Sequence, residues 1–165
     1  MGEYQLYLCL GGNIGNKSQI FKKTLLFIGE TIGRIEQVSP LIVSPPWGFE
    51  AKTAFWNQVV VVATLLSPAE VLQEIRKIEA FFGRMRVSGR YISRRMDIDI
   101  LFYDQLVLET EELSIPHPLI GRRRFVLAPL ALLSPEFRHP GTGKTMAEML
   151  AECEDPSAVQ ILNPK

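Results

Sequence analysis

The sequence is poor in the residues that form zinc sites. Among its 165 residues it has only two cysteines, Cys9 and Cys153, and two histidines, His117 and His139. These four residues lack the closely spaced pairs that zinc sites typically use, so we expect no thiolate or imidazole zinc cluster. Two lone cysteines are typical of a protein in a reducing compartment, so we expect this chain in the cytoplasm.

Long apolar runs are also missing. The longest is VVVVATLL at residues 59–66, which is far short of the roughly 20 residues that span a bilayer and indicates a buried strand. The first residues lack a basic segment followed by an apolar stretch and a cleavage site. We therefore expect neither a signal peptide nor a membrane partner, and the length predicts a single domain over residues 1–165.

Neither sign of charge is in excess. Eighteen basic and eighteen acidic residues give a formal net charge of zero, which argues against an extended nucleic-acid surface. The arginines are nevertheless clustered, because five of the eleven lie between Arg84 and Arg95 without an acid among them, and three are consecutive at residues 122–124. Such clusters suit bidentate phosphate recognition, although an ordinary solvated surface would also explain them.

Hydrophobic periodicity predicts the order βαββαβ, with strands at residues 4–10, 34–44 and 55–66 and a fourth around residues 97–103. One helix is expected between the N-cap Asn16 and Gly33, and another between the capping box of Ser67 with Glu70 and Gly83. This order specifies an α+β ferredoxin-like plait, an antiparallel sheet with both helices on one face and the other face free. The tail is expected to add a strand pair within residues 106–115 and short helices within 123–133 and 145–153.

The segment RRMDIDILFYD at residues 94–104 places two aspartates two positions apart. In a strand, Met96, Ile98 and Ile100 point into a core, while Asp97 and Asp99 share the opposite face. Neighbouring carboxylates repel each other unless a cation lies between them, and their hard oxygens suit Mg²⁺ with substrate phosphates as further ligands. The alternative is an exposed strand face that happens to be acidic. The adjacent arginines favour a polyanion and its metal in the space between.

The segment GTGKT at residues 141–145 matches the end of a phosphate-binding Walker A loop. The full pattern requires a glycine where Arg138 stands and a buried strand where the chain has SPEFRHP. We therefore predict a turn that leads into a short helix.

The segment SPPWGFEAKTAFWN at residues 44–57 is rich in aromatic side chains, with four of them within ten positions. Phe55 and Asn57 share one strand face, whereas Trp56 points the other way and is expected in the core. An aromatic face beside an amide suits a flat, nitrogen-rich ring that is stacked and recognised along its edge. The alternative is that the aromatic residues simply complete the core.

Six motifs together resemble one known family. LCLGGNIG, SPPWG, FWNQ, IEAFFGRMR, SRRMDIDILFYD and IPHPLIGRRRFVLAPL follow the order of the 6-hydroxymethyl-7,8-dihydropterin pyrophosphokinase family of folate biosynthesis and cover nearly all of residues 4–150. The resemblance implies a ferredoxin-like fold and transfer of the β,γ-diphosphate of ATP to the pterin hydroxymethyl group, with release of AMP. It also implies that Asp97 and Asp99 hold two Mg²⁺ ions across the triphosphate, with ATP as co-substrate.

The resemblance also implies roles for individual residues at the nucleotide. Arg84 and Arg94 match catalytic arginines that contact phosphate in a mobile loop, and Arg86 and Arg90 are further cations there. The other implied nucleotide contacts are Arg76, Glu79, the backbone groups of Ile100 and Ser114, His117 and Arg123.

At the pterin, the resemblance implies that Phe55 and Phe125 are the two stacking faces and that Asn57 is the edge-reading amide. The groups around the ring would be Ser44, Pro45 and Trp47, the turn of Gly11, Gly12 and Asn13, and Tyr91 as a lid. The chain departs from the commoner pattern where Tyr91-Ile92-Ser93-Arg94 replaces Trp-Gly-Pro-Arg, where Arg76 replaces a glutamine and where Phe55 replaces a tyrosine.

Two other classes of protein share this fold class. An RNA-binding module requires aromatic residues on its central strands, where this chain has VVVVATLL and carboxylates, and it would show a salt-dependent RNA affinity. A non-catalytic regulatory or assembly domain requires neither the aspartate pair nor the aromatic segment, and it would bind its ligand without Mg²⁺. We predict the enzyme, acting as a monomer on small-molecule substrates and without a nucleic-acid partner.

Overall fold

The computed structural model describes residues 2–44, 54–83 and 95–162, and these ranges contain eight strands and four helices. The strands are β1 (Tyr4–Gly12), β2 (Gly33–Val38), β3 (Leu41–Ser44), β4 (Phe55–Thr64), β5 (Asp97–Tyr103), β6 (Leu108–Glu109), β7 (Ser114–Ile115) and β8 (Gln160–Leu162). The helices are α1 (Lys17–Thr31), α2 (Pro68–Phe81), α3 (Arg124–Leu133) and α4 (Met146–Glu152), and a 3-10 turn lies at Ile120–Arg122. Within the described ranges, none of the helices combines the length and the apolar character needed to cross a bilayer.

The main sheet is antiparallel and has the strand order β5-β1-β4-β3-β8. β2 pairs with a later part of β4 than β3 does, and β6 forms a separate hairpin with β7. If β2 and β3 are counted as the two halves of one strand, the chain through β5 has the order βαββαβ. The predicted α+β plait and its additional strand pair and tail helices are confirmed.

The predicted strand at residues 34–44 is wrong in one respect, because it is divided into β2 and β3. Pro40 lies at the break and has no N–H to donate to a strand ladder. Ser39 is buried there, its N–H donates to the carbonyl oxygen of Val59 at 2.9 Å, and its hydroxyl accepts from the N–H of Val59 at 2.9 Å. These bonds hold the chain at the point where it changes from β2 to β3.

α1 and α2 cover one face of the sheet, and both begin at the predicted caps. The side chain of Asn16 accepts from the N–H of Gln19 at 3.2 Å, and Ser67 and Glu70 form a reciprocal capping box. Apolar side chains from β1, from both helices and from residues 96–100 are buried on this face: Leu6, Leu8, Leu10, Phe21, Ile28, Ile75, Met96, Ile98 and Ile100. The predicted inward orientation of the apolar residues around the aspartates is therefore confirmed. Each such burial stabilises the fold by about 1.5–3 kcal/mol.

The sequence predicted that the second face of the sheet is free, and this prediction is wrong. Tyr7, Cys9 and Phe102 of this face pack in one cluster with Leu127 of α3 and Met149 of α4. The physical reason is the composition of α3, RFVLAPLALL, which is apolar along most of its length and must bury that surface. The end of this face that carries Asp97 and Asp99 is half-buried.

Candidate active site

Three neighbouring strands bring polar residues together at one end of the sheet. In the antiparallel register, Gly11 of β1 pairs with Asp97 of β5 on one side and with Asn57 of β4 on the other. Directly paired residues share a face, so the three residues form a row. Neighbouring strands are about 4.8 Å apart, so Asp97 and Asn57 are separated by roughly two strand spacings. Phe55 of β4 pairs with Ser44 of β3, and this pair lies still closer to that end of the sheet.

Asp97 and Asp99 lie half-buried on the same face as Cys9, which pairs with Asp99 in the register. Burial raises the pKa of the Cys9 thiol, and the charges of Asp99 and Asp97 raise it further, so the thiol stays neutral beside them. In the described part of the chain, no group of three or more His, Cys, Asp or Glu side chains is arranged for a metal. The pair still fits Mg²⁺, which is usually bound by one or two carboxylates, with waters and substrate phosphates as its other ligands.

His117 faces this pair as a neutral hydrogen-bond donor. Burial and the positive charge of Arg123 lower the pKa of His117 to about 4, against the opposite effect of Asp97. Its Nδ1 accepts from the N–H of Leu119 at 3.1 Å, so the single proton of the neutral ring is on Nε2. Nε2 lies 3.9 Å from Oδ2 of Asp99, which is too long for a hydrogen bond. At neutral pH the contact is therefore not an ion pair, and Nε2–H is directed toward the acidic pair.

A second group of predicted residues lies along the outer edge of β5, which pairs only with β1 among the described strands. Glu79 of α2 is 3% exposed and accepts from the N–H of Ile98 at 2.9 Å, so it contacts this edge rather than the face of the aspartates. Backbone groups alternate in direction along a strand, and those of Ile100 therefore face the same edge. β7, which begins at Ser114, packs against β5.

Asn57 is held in one orientation. It is 4% exposed, and its Nδ2 donates to the hydroxyl oxygen of the buried Ser44 at 3.0 Å. Because the nitrogen faces β3, the oxygen faces β1, where a Cβ added at Gly11 would lie 3.0 Å from Oδ1. The amide therefore presents a hydrogen-bond acceptor to the space above Gly11. That arrangement suits a ring whose edge carries N–H or NH₂ groups.

The arginines that were predicted as nucleotide contacts differ in their surroundings. Arg76 is half-exposed on α2, and its Nη1 lies 3.6 Å from a carboxylate oxygen of Glu112 in the β6–β7 turn. Arg123 is 8% exposed, and its guanidinium carbon lies 5.7 Å from the ring centre of Phe125. Arg124 faces away from this site, because its side chain donates to backbone oxygens near the end of the chain. The run at residues 122–124 is therefore not one phosphate-binding cluster.

Seven predicted site residues lie outside the described residues, and their roles stay predictions. They are Pro45, Trp47, Arg84, Arg86, Arg90, Tyr91 and Arg94.

Two further structural predictions are confirmed. Trp56 packs with the core beneath α1, with its ring centre 6.1 Å from that of Phe21. The GTGKT segment forms a turn in which the N–H of Gly143 donates to the carbonyl oxygen of His139 at 2.8 Å, and Thr145 caps the short helix α4. This segment is not a phosphate-binding loop.

Solved structures share the fold of this chain. A Plasmodium falciparum HPPK-DHPS variant with SDX-DHP superposes with a TM-score of 0.77 at 19% identity, covering 91% of this chain and 45% of that chain. Wild-type Plasmodium falciparum HPPK-DHPS gives 0.73 at 18% identity, covering 91% of this chain and 44% of that one. This chain therefore spans less than half of those proteins, and at such identities the likeness shows the fold alone. It confirms the ferredoxin-like class.

Closer relatives define the class of protein, which is a pyrophosphokinase. A 2-amino-4-hydroxy-6-hydroxymethyldihydropteridine pyrophosphokinase of Aquifex aeolicus is 35% identical over 147 residues, covering 89% of this chain and 91% of the relative. Folic acid synthesis protein fol1 of Schizosaccharomyces pombe is 36% identical over 145 residues, which are 87% of this chain and 20% of that protein. The chain belongs to the 7,8-dihydro-6-hydroxymethylpterin-pyrophosphokinase family, whose model matches residues 7–135. The predicted family is confirmed.

Proposed function

We propose that this chain transfers the β,γ-diphosphate of ATP to the hydroxymethyl group of 6-hydroxymethyl-7,8-dihydropterin and releases AMP. The hydroxymethyl oxygen forms a bond to the β-phosphorus, the bond from that phosphorus to the α–β bridging oxygen breaks, and the hydroxyl proton is released to solvent. The row of Asp97, Gly11 and Asn57 carries the proposal, because it joins an anionic end and a heterocycle-reading end about two strand spacings apart.

At the anionic end, Asp97 and Asp99 would hold Mg²⁺, and we propose two ions. The donor set supports this assignment, because both are hard carboxylates on one half-buried strand face. When bound, Mg²⁺ neutralises the polyphosphate and lowers the pKa of the substrate hydroxyl. Arg84 and Arg94, with Arg86 and Arg90, are proposed from the sequence as cations that contact the phosphates.

The nucleotide would lie between the acidic pair and the outer edge of β5. The backbone groups of Ile100 and Ser114 would recognise the adenine, with Glu79 and Arg76 beside them. Arg123 supplies a buried positive charge, and His117 supplies Nε2–H as a donor to phosphate oxygen. Because Nδ1 of His117 already accepts from Leu119, this residue acts as a donor and not as the base that takes the hydroxyl proton.

The pterin would lie above Gly11, with its edge on the Oδ1 of Asn57. Ser44 would keep that amide in orientation, and Phe55 and Phe125 would stack on the two faces of the ring. Pro45, Trp47 and Tyr91 are proposed from the sequence as further groups around the ring.

We also propose that residues 1–165 act as one monomeric domain in the cytoplasm, with small molecules as the only partners. The two cysteines are both free and buried, which supports a reducing compartment. The formal net charge of zero supports the absence of a nucleic-acid partner.

The proposed function predicts that the purified chain forms AMP when it is mixed with ATP, Mg²⁺ and the hydroxymethyl dihydropterin. AMP and the pterin diphosphate should appear in equal amounts, measured by chromatography. Formation of AMP without the pterin, or of ADP with it, would contradict the reaction. Binding of RNA that weakens with salt, without AMP formation, would support the RNA-binding alternative, and ligand binding without Mg²⁺ or turnover would support a regulatory domain.

Phe125→Ala should chiefly weaken pterin binding, because it removes one stacking face. We expect the Kd of the pterin to rise about 10- to 100-fold in the presence of a nonhydrolysable ATP analogue, measured by calorimetry. Leu132→Ala is the matched control, because this residue lies on the same helix and is 53% exposed. A pterin Kd that is unchanged in Phe125→Ala would contradict the stacking role.

A further inference from the structure

The first turn of α3 is bound by residues from the end of the described chain. Asp155 is 8% exposed, its Oδ2 accepts from the N–H of Arg124 at 3.0 Å, and its Oδ1 accepts from the N–H of Ser157 at 2.9 Å. Arg124 in turn donates from Nε to the carbonyl oxygen of Asp155 at 3.0 Å and from Nη2 to that of Cys153 at 2.9 Å. We call these four residues the α3 clamp.

The α3 clamp caps the N-terminus of α3, which the residue directly before the helix does not do. The residue at the N-cap position is Arg123, whose side chain makes no capping hydrogen bond. The carboxylate of Asp155 takes that place, where it accepts one of the unpaired N–H groups and carries the charge that a helix N-terminus favours. Burial acts to raise the pKa of Asp155, but hydrogen bonds from Ser157 and Arg124 outweigh it and hold the pKa below its ordinary value. The carboxylate is therefore ionised at neutral pH.

The clamp holds the backbone between two predicted site residues. Arg123 and Phe125 flank the N–H group that Asp155 binds, and their side chains contact each other. The positive charge of Arg123 lowers the pKa of His117, and Nε2 of His117 lies 3.9 Å from Oδ2 of Asp99. A shift at the start of α3 would therefore move both a stacking ring and a buried cation relative to the acidic pair.

The same segment also reaches the other side of the site. Beyond Ser157 the chain enters β8, in which Ile161 pairs with Ile42 of β3. β3 ends at Ser44, the residue that orients the amide of Asn57. Residues 153–162 thus connect the start of α3 with the strand that supports the amide, and they lie beyond residue 135, where the match to the family model ends.

We propose that Asp155 is a positioning residue for the pterin, which it serves by fixing the start of α3 and hence Phe125; this inference rests on the proposed function. Asp155 touches neither substrate. Its effect should therefore appear in the KM for the pterin more than in kcat, because a displaced stacking ring weakens binding while the acidic pair is unchanged.

The test compares Asp155→Ala with Thr145→Ala. Thr145 is the matched control because its hydroxyl accepts from the N–H of Glu148 at 3.1 Å and so caps α4 instead of α3. In Asp155→Ala we expect the pterin KM to rise about tenfold, with kcat changed less than about twofold. Hydrogen exchange at the amides of residues 124–127 should also be faster. Thr145→Ala should lower the melting temperature and leave the pterin KM unchanged.

Asp155→Asn is the conservative variant. It keeps one acceptor oxygen but turns an amide donor toward the other N–H, so its pterin KM should lie between those of the wild type and Asp155→Ala. If Asp155→Ala does not fold, a raised KM in Asp155→Asn supports the proposal and an unchanged KM overturns it. A folded Asp155→Ala with a lower melting temperature and wild-type KM also overturns it. A wild-type chain that forms no AMP would instead overturn the proposed function. The hydrogen-exchange measurement needs no substrate, so it tests the effect of Asp155 on α3 independently of the reaction.

Discussion

Replacing Asp97 or Asp99 with alanine should lower kcat by about a thousandfold or more while the protein stays folded. Each change removes a carboxylate proposed to hold Mg²⁺ against the polyphosphate, and groups that stabilise developing charge typically contribute effects of this size. The fold should survive because both side chains are half-exposed, while the neighbouring Met96, Ile98 and Ile100 keep the strand in the core. The measurements are the rate of AMP formation and the melting temperature. The Mg²⁺ concentration needed for half-maximal rate should also rise.

Asp104 provides a matched control just beyond the other end of the same strand. Its Oδ1 accepts from the N–H of Gln5 at 2.7 Å, and its φ of 48° is a conformation that asparagine tolerates. Asp104→Asn should therefore keep both its fold and its rate. Near-normal kcat in Asp97→Ala or Asp99→Ala would show that the pair holds no essential metal.

Features that depend on neighbouring positions could be predicted from the sequence. The two-residue period around Asp97 and Asp99 fixes which side chains enter the core, and hydrogen bonds three residues apart fix the starts of α1 and α2. The same period placed Asn57 and Phe55 on one face of β4. For these elements the local pattern and the packed structure agree.

Features that depend on distant positions could not be predicted in this way. Asp155 and Arg124 are 31 positions apart, and a run of three arginines gives no indication that one of them binds the backbone of a later segment. The apolar character of α3 was visible, but not which face of the sheet it would cover. The neutral state of His117 likewise follows from burial and from Arg123, which exist only after folding. Tertiary contacts decide these features, and a single sequence does not list them.

Gly11→Val should nearly abolish pterin binding while the sheet stays intact. Gly11 lies between Asp97 and Asn57, and even a Cβ there would be 3.0 Å from Oδ1 of Asn57. The amide cannot easily move away, because it is buried and donates to Ser44. We expect the pterin Kd to rise about 100-fold, because the valine side chain displaces the acceptor oxygen of Asn57 and fills the space above position 11. The Kd is measured by calorimetry with an ATP analogue present. Valine itself is favoured in strands, so the melting temperature should change little.

The two ligands should respond differently, and this separates a local effect from general damage. The groups proposed to recognise the adenine lie along the outer edge of β5, on the far side of that strand from Gly11, so the Kd of the ATP analogue should change less than about threefold. Gly29→Ala is the control, because a Cβ at this position in α1 would meet no atom within 4 Å. It should stabilise the protein by about 0.5–1 kcal/mol and leave both affinities unchanged. Wild-type pterin affinity in Gly11→Val would mean that the ring does not lie above this glycine, and the proposed row of Asp97, Gly11 and Asn57 would then not be the substrate site.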